Sequence, residues 1–189
     1  MLDVGVTAAT LSRVLPPSGQ YFRPVPMATV HLISGLPCSG KTTYSSNLRD
    51  QVDGVLITLD RWLITTHGRY RIVEVGQEEH VRRVVASREL IWSVASEFLR
   101  RGTDVILDDG FFLRSDRMRY VVMARELGAT SFIHFLSMPI EELRGRIDAR
   151  NANLPIYNFW IDPELLESFR SQYEVPRDDE ADKLVVHRS

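Results

Sequence analysis

The fold of this chain is decided by residues 31–45, HLISGLPCSGKTTYS. An apolar run ends at Gly35, and a second glycine, Gly40, is followed directly by Lys41 and Thr42. This spacing matches G-x-x-x-x-G-K-S/T, a loop whose glycines let backbone N–H groups turn around a phosphate. The motif is specific when a strand precedes it and a helix follows it. The apolar run predicts that strand and the residues from Lys41 predict that helix, so we expect a nucleoside triphosphate to bind here.

Each residue type in the loop has a distinct predicted role. Lys41 would neutralise the outer phosphates, and the Thr42 hydroxyl would ligate Mg²⁺. The nucleotide-binding residues predicted from the motif and its flank are Gly35, Leu36, Pro37, Cys38, Ser39, Gly40, Lys41, Thr42 and Thr43. Cys38 is the only cysteine of the chain. Its position near Lys41 and a helix N-terminus predicts a thiol pKa below the usual value, whereas burial in the core would leave the thiol inert.

Length and composition limit the class of protein. The chain has 189 residues, 44% of them hydrophobic and 25% charged, which suits one globular domain. A formal net charge of −2 gives no basic footprint for stable nucleic-acid binding. The single cysteine excludes an intrachain disulfide and favours a reducing, cytoplasmic location. No apolar run approaches the roughly 18 residues of a membrane helix, and the first residues lack a secretory pattern, so no membrane partner is expected.

The order of apolar and polar segments predicts the organisation of the chain. Residues 1–26 contain PPSG and RPVP without sustained periodicity and are predicted to be a tail, disordered or added by start-site choice. Residues 27–189 are predicted to form one domain, with strands at 29–34, 55–59, 104–108, 131–136 and 183–187. Helices are expected at 41–50, 74–101, 115–127, 139–150 and 163–173, with Ser115 capping the third. This alternation predicts an α/β fold with a five-stranded parallel sheet and helices on both faces.

Three aspartates follow predicted strands. Asp60 follows the second strand, and Asp108 and Asp109 end the third in the segment VILDD. The carboxyl ends of parallel strands form one ligand crevice, so these carboxylates are expected near the glycine loop. Asp60 is predicted to accept the proton of an attacking hydroxyl or to orient it, with a helix cap or turn residue as the alternative. Because neighbouring strand residues face opposite ways, Asp108 is assigned to the metal and Asp109 to the acceptor, and the reverse assignment stays open.

Two arginines are candidates for a lid. Glu142, Arg146 and Arg150 are spaced four residues apart and share one face of the helix predicted after the fourth strand. Two interpretations are open: a salt-bridged face in solvent, or a lid whose arginines, Arg146 and Arg150, close over the phosphates. The helix leads into the polar stretch ARNANLP, which favours a lid over about residues 139–160.

Aromatic and basic residues follow the same strand ends. Trp62 comes soon after Asp60, and Phe111 and Arg117 follow the third strand. Such a mixture of apolar and polar side chains is typical of a pocket for an acceptor, although the aromatic residues would equally suit ordinary core packing. Three further residues lie in predicted strands and are expected to be hydrogen-bonded core residues, namely His31, His134 and His187.

Residues 29–187 resemble the small P-loop kinases, most closely the kinase domain of 5′-hydroxyl polynucleotide kinases and, more broadly, zeta-toxin kinases and chloramphenicol phosphotransferase. The segments that carry the resemblance are GLPCSGKT at 35–42, LITLDRW at 56–62, VILDDGFFLRSDR at 105–117, MPIEELRGRIDARN at 138–151 and FRSQYEVPRDDEADKLVV at 169–186. The resemblance implies that Asp60 is the general base. It also implies that Asp109 and Arg117 face the acceptor and that Arg146 and Arg150 are lid arginines.

The same resemblance implies an ATP-dependent phosphotransferase that moves the γ-phosphate of an NTP–Mg²⁺ complex, ATP or GTP, to a hydroxyl group. Some polynucleotide kinases carry an arginine three residues after the base aspartate, and Leu63 holds that place here. Together with the net charge of −2, this favours a hydroxyl-bearing small molecule as acceptor over a polynucleotide 5′-hydroxyl. A nucleotide-binding regulatory ATPase without an acceptor is the alternative from another class. The sequence does not determine the oligomeric state.

Overall fold

The computed structural model describes residues 27–188, so the prediction of a tail at 1–26 lies outside the described residues. The chain forms a sheet of β1 (Thr29–Ser34), β2 (Val55–Thr58), β3 (Val105–Gly110), β4 (Thr130–Ser137) and β5 (Lys183–Arg188). The five strands lie in the order β2-β3-β1-β4-β5, and every pairing between them is parallel. This confirms the predicted five-stranded parallel sheet, and it places the carboxyl ends of β2, β3 and β1 side by side.

Helices connect the strands. They are α1 (Lys41–Val52), α2 (Leu59–His67), α3 (Ile72–Val75), α4 (Gln77–Arg100), α5 (Arg114–Glu126), α6 (Ile140–Ala152) and α7 (Pro163–Gln172). Within residues 27–188, none of these helices combines the length and apolar character that a membrane crossing requires. Helix α2 was not predicted, because Leu59 continues the apolar pattern of β2, whereas it is the first residue of the helix that carries Asp60.

Three predicted helices differ from the observed ones at their starts, and the simplest case is α6, which begins at Ile140 rather than at residue 139. The helix expected from residue 74 is divided into α3 and α4 at Gly76, whose φ of 86° and ψ of 150° are not helical. Helix α5 begins at Arg114, and Leu113 takes the cap position without a side-chain hydrogen bond. The prediction of Ser115 as the cap is therefore wrong. The residue type was suitable, but the helix starts one residue earlier than the periodicity indicated.

The two faces of the sheet are covered by different helices, because side chains alternate along each strand. Leu32 of β1 faces the main core, which is shared with α2, α4 and α5. Its neighbour Ile33 faces Leu48 of α1 on the other side. A smaller cluster around Ile147 and Leu166 joins α6 to α7. Helices on both faces are therefore confirmed, with α1 and the loop before it on one side and α2, the helix that carries Asp60, on the other.

Candidate active site

The glycine loop joins the end of β1 to the start of α1, and local geometry requires two of its glycines. At Gly35 a Cβ atom would lie 2.7 Å from Ser39 Oγ and 2.8 Å from the Leu136 carbonyl oxygen. Gly40, directly before α1, has a left-handed φ of 92°. A side chain at either position would displace its neighbours or strain the backbone. The sequence therefore forms the curved loop that the motif predicts.

Polar groups of the loop surround the start of α1. Lys41 Nζ donates a hydrogen bond to the Leu36 carbonyl at 2.9 Å, and the side chain is partly buried. Burial lowers the pKa of Lys41, while the charges of Asp108 and Asp60 act in the opposite direction. Ser39 Oγ is buried and has no hydrogen-bond partner within the described chain. A lysine beside an unpartnered hydroxyl and a helix N-terminus suits the binding of an anion.

Thr42 and Asp108 meet beside this loop. The Thr42 hydroxyl donates to Asp108 Oδ2 at 2.8 Å, although the two residues are 66 positions apart. Asp108 is buried, and burial raises the pKa of its carboxyl, an effect opposed by Lys41 and by the Thr42 hydrogen bond. A hydroxyl and a carboxylate are oxygen donors of the kind that Mg²⁺ binds. The pair therefore fits the ion that the sequence predicts for these two residues.

Asp60 lies in the first turn of α2, immediately after β2, and is half-buried. Helix α2 packs against β3 and α4, which brings this carboxyl group close to those of β3. Burial and the charge of Asp108 raise the pKa of Asp60 to about 6, while Lys41 opposes the shift. A carboxyl group with this pKa is ionised at neutral pH and is a stronger base than an ordinary aspartate.

Asp109 is held by an arginine that the sequence analysis did not select. Arg88 of α4 donates from Nε and Nη2 to the two oxygens of Asp109 at 2.7 and 2.6 Å, and from Nη1 to Asp116 at 2.8 Å. This fork lies on the α4 side of β3, whereas Asp108 faces α1, as the alternation along a strand predicts. One feature of the sequence could have identified Arg88 as a partner of a buried carboxylate. Arg88 lies three residues before the buried Ile91 on the inner face of α4, where a guanidinium requires a carboxylate partner.

Arg117 and Phe111 do not face an acceptor, which corrects the prediction for both. Arg117 is fully buried, pairs with Glu180 through Nε at 2.6 Å and donates to the Phe111 carbonyl at 2.9 Å. The Phe111 side chain is 1% exposed and packs edge-on against Tyr120 in the core. Trp62 is half-buried against the same core. The aromatic residues after the strand ends thus follow the core-packing alternative, because burial of large rings stabilises the fold.

The two predicted lid arginines of α6 differ in their surroundings. Arg150 donates from Nη2 to the Phe159 carbonyl at 3.2 Å, and its Nε is buried without a partner among residues 27–188. Its charge acts on both Lys41 and Asp60, which places it at the glycine loop. Arg146 is half exposed and lies 3.9 Å from Glu142, as the solvent-face interpretation predicts. Of the two, Arg150 is the one that presents an unpaired donor at the site.

Cys38 is a packing residue of the loop rather than an activated thiol. It has a left-handed φ of 63° and packs against the cluster that includes Ile147 and Leu166. Burial raises the pKa of its thiol, although Arg150 and Lys41 act in the opposite direction. The predicted lowering of this pKa is therefore wrong, because desolvation outweighs the positive charges around the loop.

The strand histidines form a cluster beneath α1. His31 Nδ1 lies 2.9 Å from His134 Nε2, and the Tyr44 hydroxyl lies 2.8 Å from His134 Nδ1. His187 contacts the cluster by the approach of its ring to that of Tyr44, with 4.3 Å between ring centres. Its Nε2 has no hydrogen-bond partner within the described part of the chain. His31 Nε2 is likewise buried without a hydrogen-bond partner among the described residues. The prediction of hydrogen-bonded core histidines therefore holds in full for His134, holds for His31 only through Nδ1, and fails for His187.

The parallel sheet, the glycine loop and the helix that carries Arg150 define this protein as one with the P-loop kinase fold. The family model described as an AAA domain, AAA_33, matches residues 30–176. Since this match spans most of the chain, the protein belongs to that AAA domain family. A comparison with curated proteins finds no match.

Solved structures share the fold at low sequence identity. A candidate kinase from Chloroflexus aurantiacus superposes with a TM-score of 0.68 at 20% identity, over 87% of this chain and 88% of that one. A gluconokinase from Sinorhizobium meliloti superposes with a TM-score of 0.53 at 18% identity, over 88% of this chain and 84% of that one. A chain of the Pnkp1/Rnl/Hen1 RNA repair complex superposes with a TM-score of 0.60 at 20% identity, over 78% of this chain and 44% of that one. These similarities establish the fold and leave the acceptor open.

Proposed function

We propose that the protein is a kinase that transfers the γ-phosphoryl group of a nucleoside triphosphate, ATP or GTP, to a hydroxyl group of a small molecule. The observation that carries the proposal is Asp60, a half-buried carboxyl group coupled to Asp108 and Lys41, with a pKa of about 6. Nucleotide binding by itself requires the loop, Thr42 and Asp108. A further carboxylate beside them suits the activation of an acceptor hydroxyl. The AAA domain family and the shared fold are in agreement with this function.

In this proposal residues 35–43 bind the phosphates of the nucleotide. Lys41 and the N-terminus of α1 would face the β- and γ-phosphates. Thr42 and Asp108 would hold Mg²⁺ through their oxygen atoms, and the ion would neutralise phosphate charge. Arg150 would direct its unpartnered Nε towards the transferred phosphoryl group, where a positive charge stabilises the transition state. Arg146 would join it only after a movement of its exposed side chain.

The transfer step assigns a proton acceptor and a leaving group. Asp60 would accept the proton of the acceptor hydroxyl while that oxygen attacks the γ-phosphorus. A P–O bond to the acceptor forms as the bond from the γ-phosphorus to the β,γ-bridging oxygen breaks, and the nucleoside diphosphate leaves. Asp109, fixed by Arg88, would orient the acceptor through a second hydroxyl group. Lys41 and Arg150 would stabilise the negative charge on the phosphoryl oxygens.

A polynucleotide 5′-hydroxyl kinase is the second candidate. It is supported by the resemblance of the segments at 56–62 and 105–117 and by the fold shared with a chain of the Pnkp1/Rnl/Hen1 complex. Leu63 in the place of an arginine and the net charge of −2 favour the small molecule. A regulatory ATPase would differ from both kinases, because no acceptor would stimulate its turnover.

The proposal is tested with γ-labelled ATP, Mg²⁺ and a panel of metabolites, antibiotics and 5′-hydroxyl oligonucleotides. We expect one acceptor class to become labelled and to stimulate ADP release, and Lys41→Ala to abolish both. Lys183→Ala is the matched control, since Lys183 is exposed at the start of β5 and should be dispensable. Hydrolysis that no acceptor stimulates would contradict the kinase and favour the regulatory ATPase.

A further inference from the structure

The acceptor side of the proposed site carries more negative than positive charge. It is formed by the start of α2, the end of β3 and the first half of α4, which pack against one another. Asp60 and Asp109 lie there, and Asp116 is joined to Asp109 through Arg88. Two of these carboxylates, Asp109 and Asp116, share the guanidinium of Arg88, and Asp60 adds a third negative charge beside them.

The arginines of α4 on this side already have carboxylate partners. Arg88 is engaged by Asp109 through two nitrogens and by Asp116 through the third. Arg83 donates to Glu79 at 2.7 Å, and its guanidinium lies over the ring of Tyr70 at 4.7 Å. Neither guanidinium offers an unpaired charge to a carboxylate or phosphate of an incoming molecule.

Other cations near the site are directed elsewhere. Arg61 follows Asp60 in α2, but it is exposed and its guanidinium lies over the ring of Tyr157 at 5.0 Å. Arg117 is fully buried against Glu180. Lys41 and Arg150 lie on the side of the glycine loop, where phosphates would bind. Over the described residues 27–188, the acceptor side thus keeps an excess of carboxylates.

We propose that the acceptor is an uncharged or cationic polyhydroxylated compound, such as a sugar, a polyol or an amino alcohol, rather than a carboxylic acid or a phosphate ester. Hydroxyl and ammonium groups donate hydrogen bonds, and the oxygens of Asp60 accept them, together with the lone pairs of Asp109 that Arg88 leaves open. An anionic group would meet like charge without an unpaired donor, which selects against it. The inference rests on the proposed kinase function, because it concerns the acceptor of that transfer.

The charge class is tested by separating the hydroxylated compounds of a cell extract on ion-exchange resins into cationic, neutral and anionic fractions. A 5′-hydroxyl oligonucleotide is added to the anionic fraction, so that nucleic acid is represented. Each fraction is incubated with the full-length protein, Mg²⁺ and γ-labelled ATP, and the labelled products are resolved by chromatography. Lys41→Ala is treated in parallel, and its label is subtracted as the contribution of contaminating kinases.

We expect about tenfold or more label in the neutral and cationic fractions than in the anionic fraction, since like-charge repulsion selects against anions. Label confined to the anionic fraction would overturn this inference and leave the kinase proposal intact. A complete lack of label in all three fractions, with only slow ATP hydrolysis, would instead contradict the kinase function itself. The two failures are therefore distinguishable in one experiment.

Discussion

Thr42 of α1 donates its hydroxyl hydrogen to Asp108 of β3 over 2.8 Å, across the carboxyl edge of the sheet. The bond joins the helix that starts at the glycine loop to the strand that ends beside Asp60. It therefore links the two parts of the site that the sequence analysis derived separately, the phosphate loop and the carboxylates. A Mg²⁺ ion bound at this point would contact oxygens from both.

The first prediction concerns Thr42. Thr42→Val keeps the shape of the side chain and removes its oxygen, so it should raise the Mg²⁺ concentration needed for half-maximal turnover. Turnover at limiting Mg²⁺ should fall by about 10²-fold, as for other single electrostatic contacts. Thr42→Ser is the matched control and should stay close to the parent. A Mg²⁺ titration at saturating ATP checks this, and an unchanged requirement in Thr42→Val would exclude Thr42 as a ligand.

The second prediction concerns the buried pair of Arg117 and Glu180. Arg117→Met leaves a carboxylate buried without its partner and should lower the free energy of unfolding by about 3–5 kcal/mol. The double variant Arg117→Met, Glu180→Leu should recover much of that loss, because it removes both charges. Urea denaturation measures the two values. A double variant that is no more stable than Arg117→Met would contradict this account, because the unpaired buried carboxylate would then not be the cause of the loss.

The third prediction concerns stability in acid. Burial, with smaller effects of His31 and His187, lowers the pKa of His134 from 6.5 to about 3. Between pH 6.5 and 3 the histidine is protonated in the unfolded chain but stays neutral in the folded chain. The contribution of neutral His134 to the free energy of unfolding is therefore complete above pH 6.5 and declines as the pH falls towards 3. The decline should approach about 1.4 kcal/mol per pH unit for this one residue.

Urea denaturation at a series of pH values between neutral and acid checks the histidine prediction. His134→Gln should lower stability at neutral pH, because it alters the hydrogen bonds to His31 and Tyr44, yet it should show a shallower dependence on pH. His67→Gln is the control, since His67 is exposed at the end of α2. If the free energy of unfolding falls equally steeply with pH in the parent and in His134→Gln, the acid sensitivity belongs to other groups.

The fourth prediction concerns Cys38. Because burial raises the pKa of its thiol, iodoacetamide should label it more slowly at neutral pH than a free cysteine, and the rate should increase with pH. MgATP should slow the reaction further, since the residue lies in the loop expected to bind phosphates. Mass spectrometry with and without MgATP follows the single site. Fast labelling that ignores MgATP would place Cys38 away from the nucleotide.

Much of the fold was predictable from the sequence because its signals are local. The loop depends on Gly35 and Gly40, and the strands are short apolar runs bounded by turns and helices. Helix α2 was missed for an equally local reason. The apolar residues of β2 continue into Leu59, so periodicity does not show where extended backbone becomes helical. The change from strand to helix between Thr58 and Leu59 is what places Asp60 in the first turn of α2.

The site was less predictable where it depends on pairs of side chains that are distant in sequence. Arg117 was expected at the acceptor, but it is held in the interior by Glu180, 63 positions away. Arg88 was not predicted to be a site residue, yet it binds Asp109, which lies 21 positions away in the sequence. Which arginine reaches which carboxylate is decided by the packing of helices on the sheet. A local pattern of residues does not contain that information.

The central claim is that Asp60 acts on the acceptor rather than on the nucleotide. Asparagine has the same size and no basic carboxylate, so Asp60→Asn isolates that chemistry. The decisive measurement is ATP affinity and phosphoryl transfer on one preparation of this variant. We predict affinity close to that of the parent, with transfer reduced by about 10²–10⁴-fold. Equal losses of affinity and transfer would contradict the account and make Asp60 a structural residue.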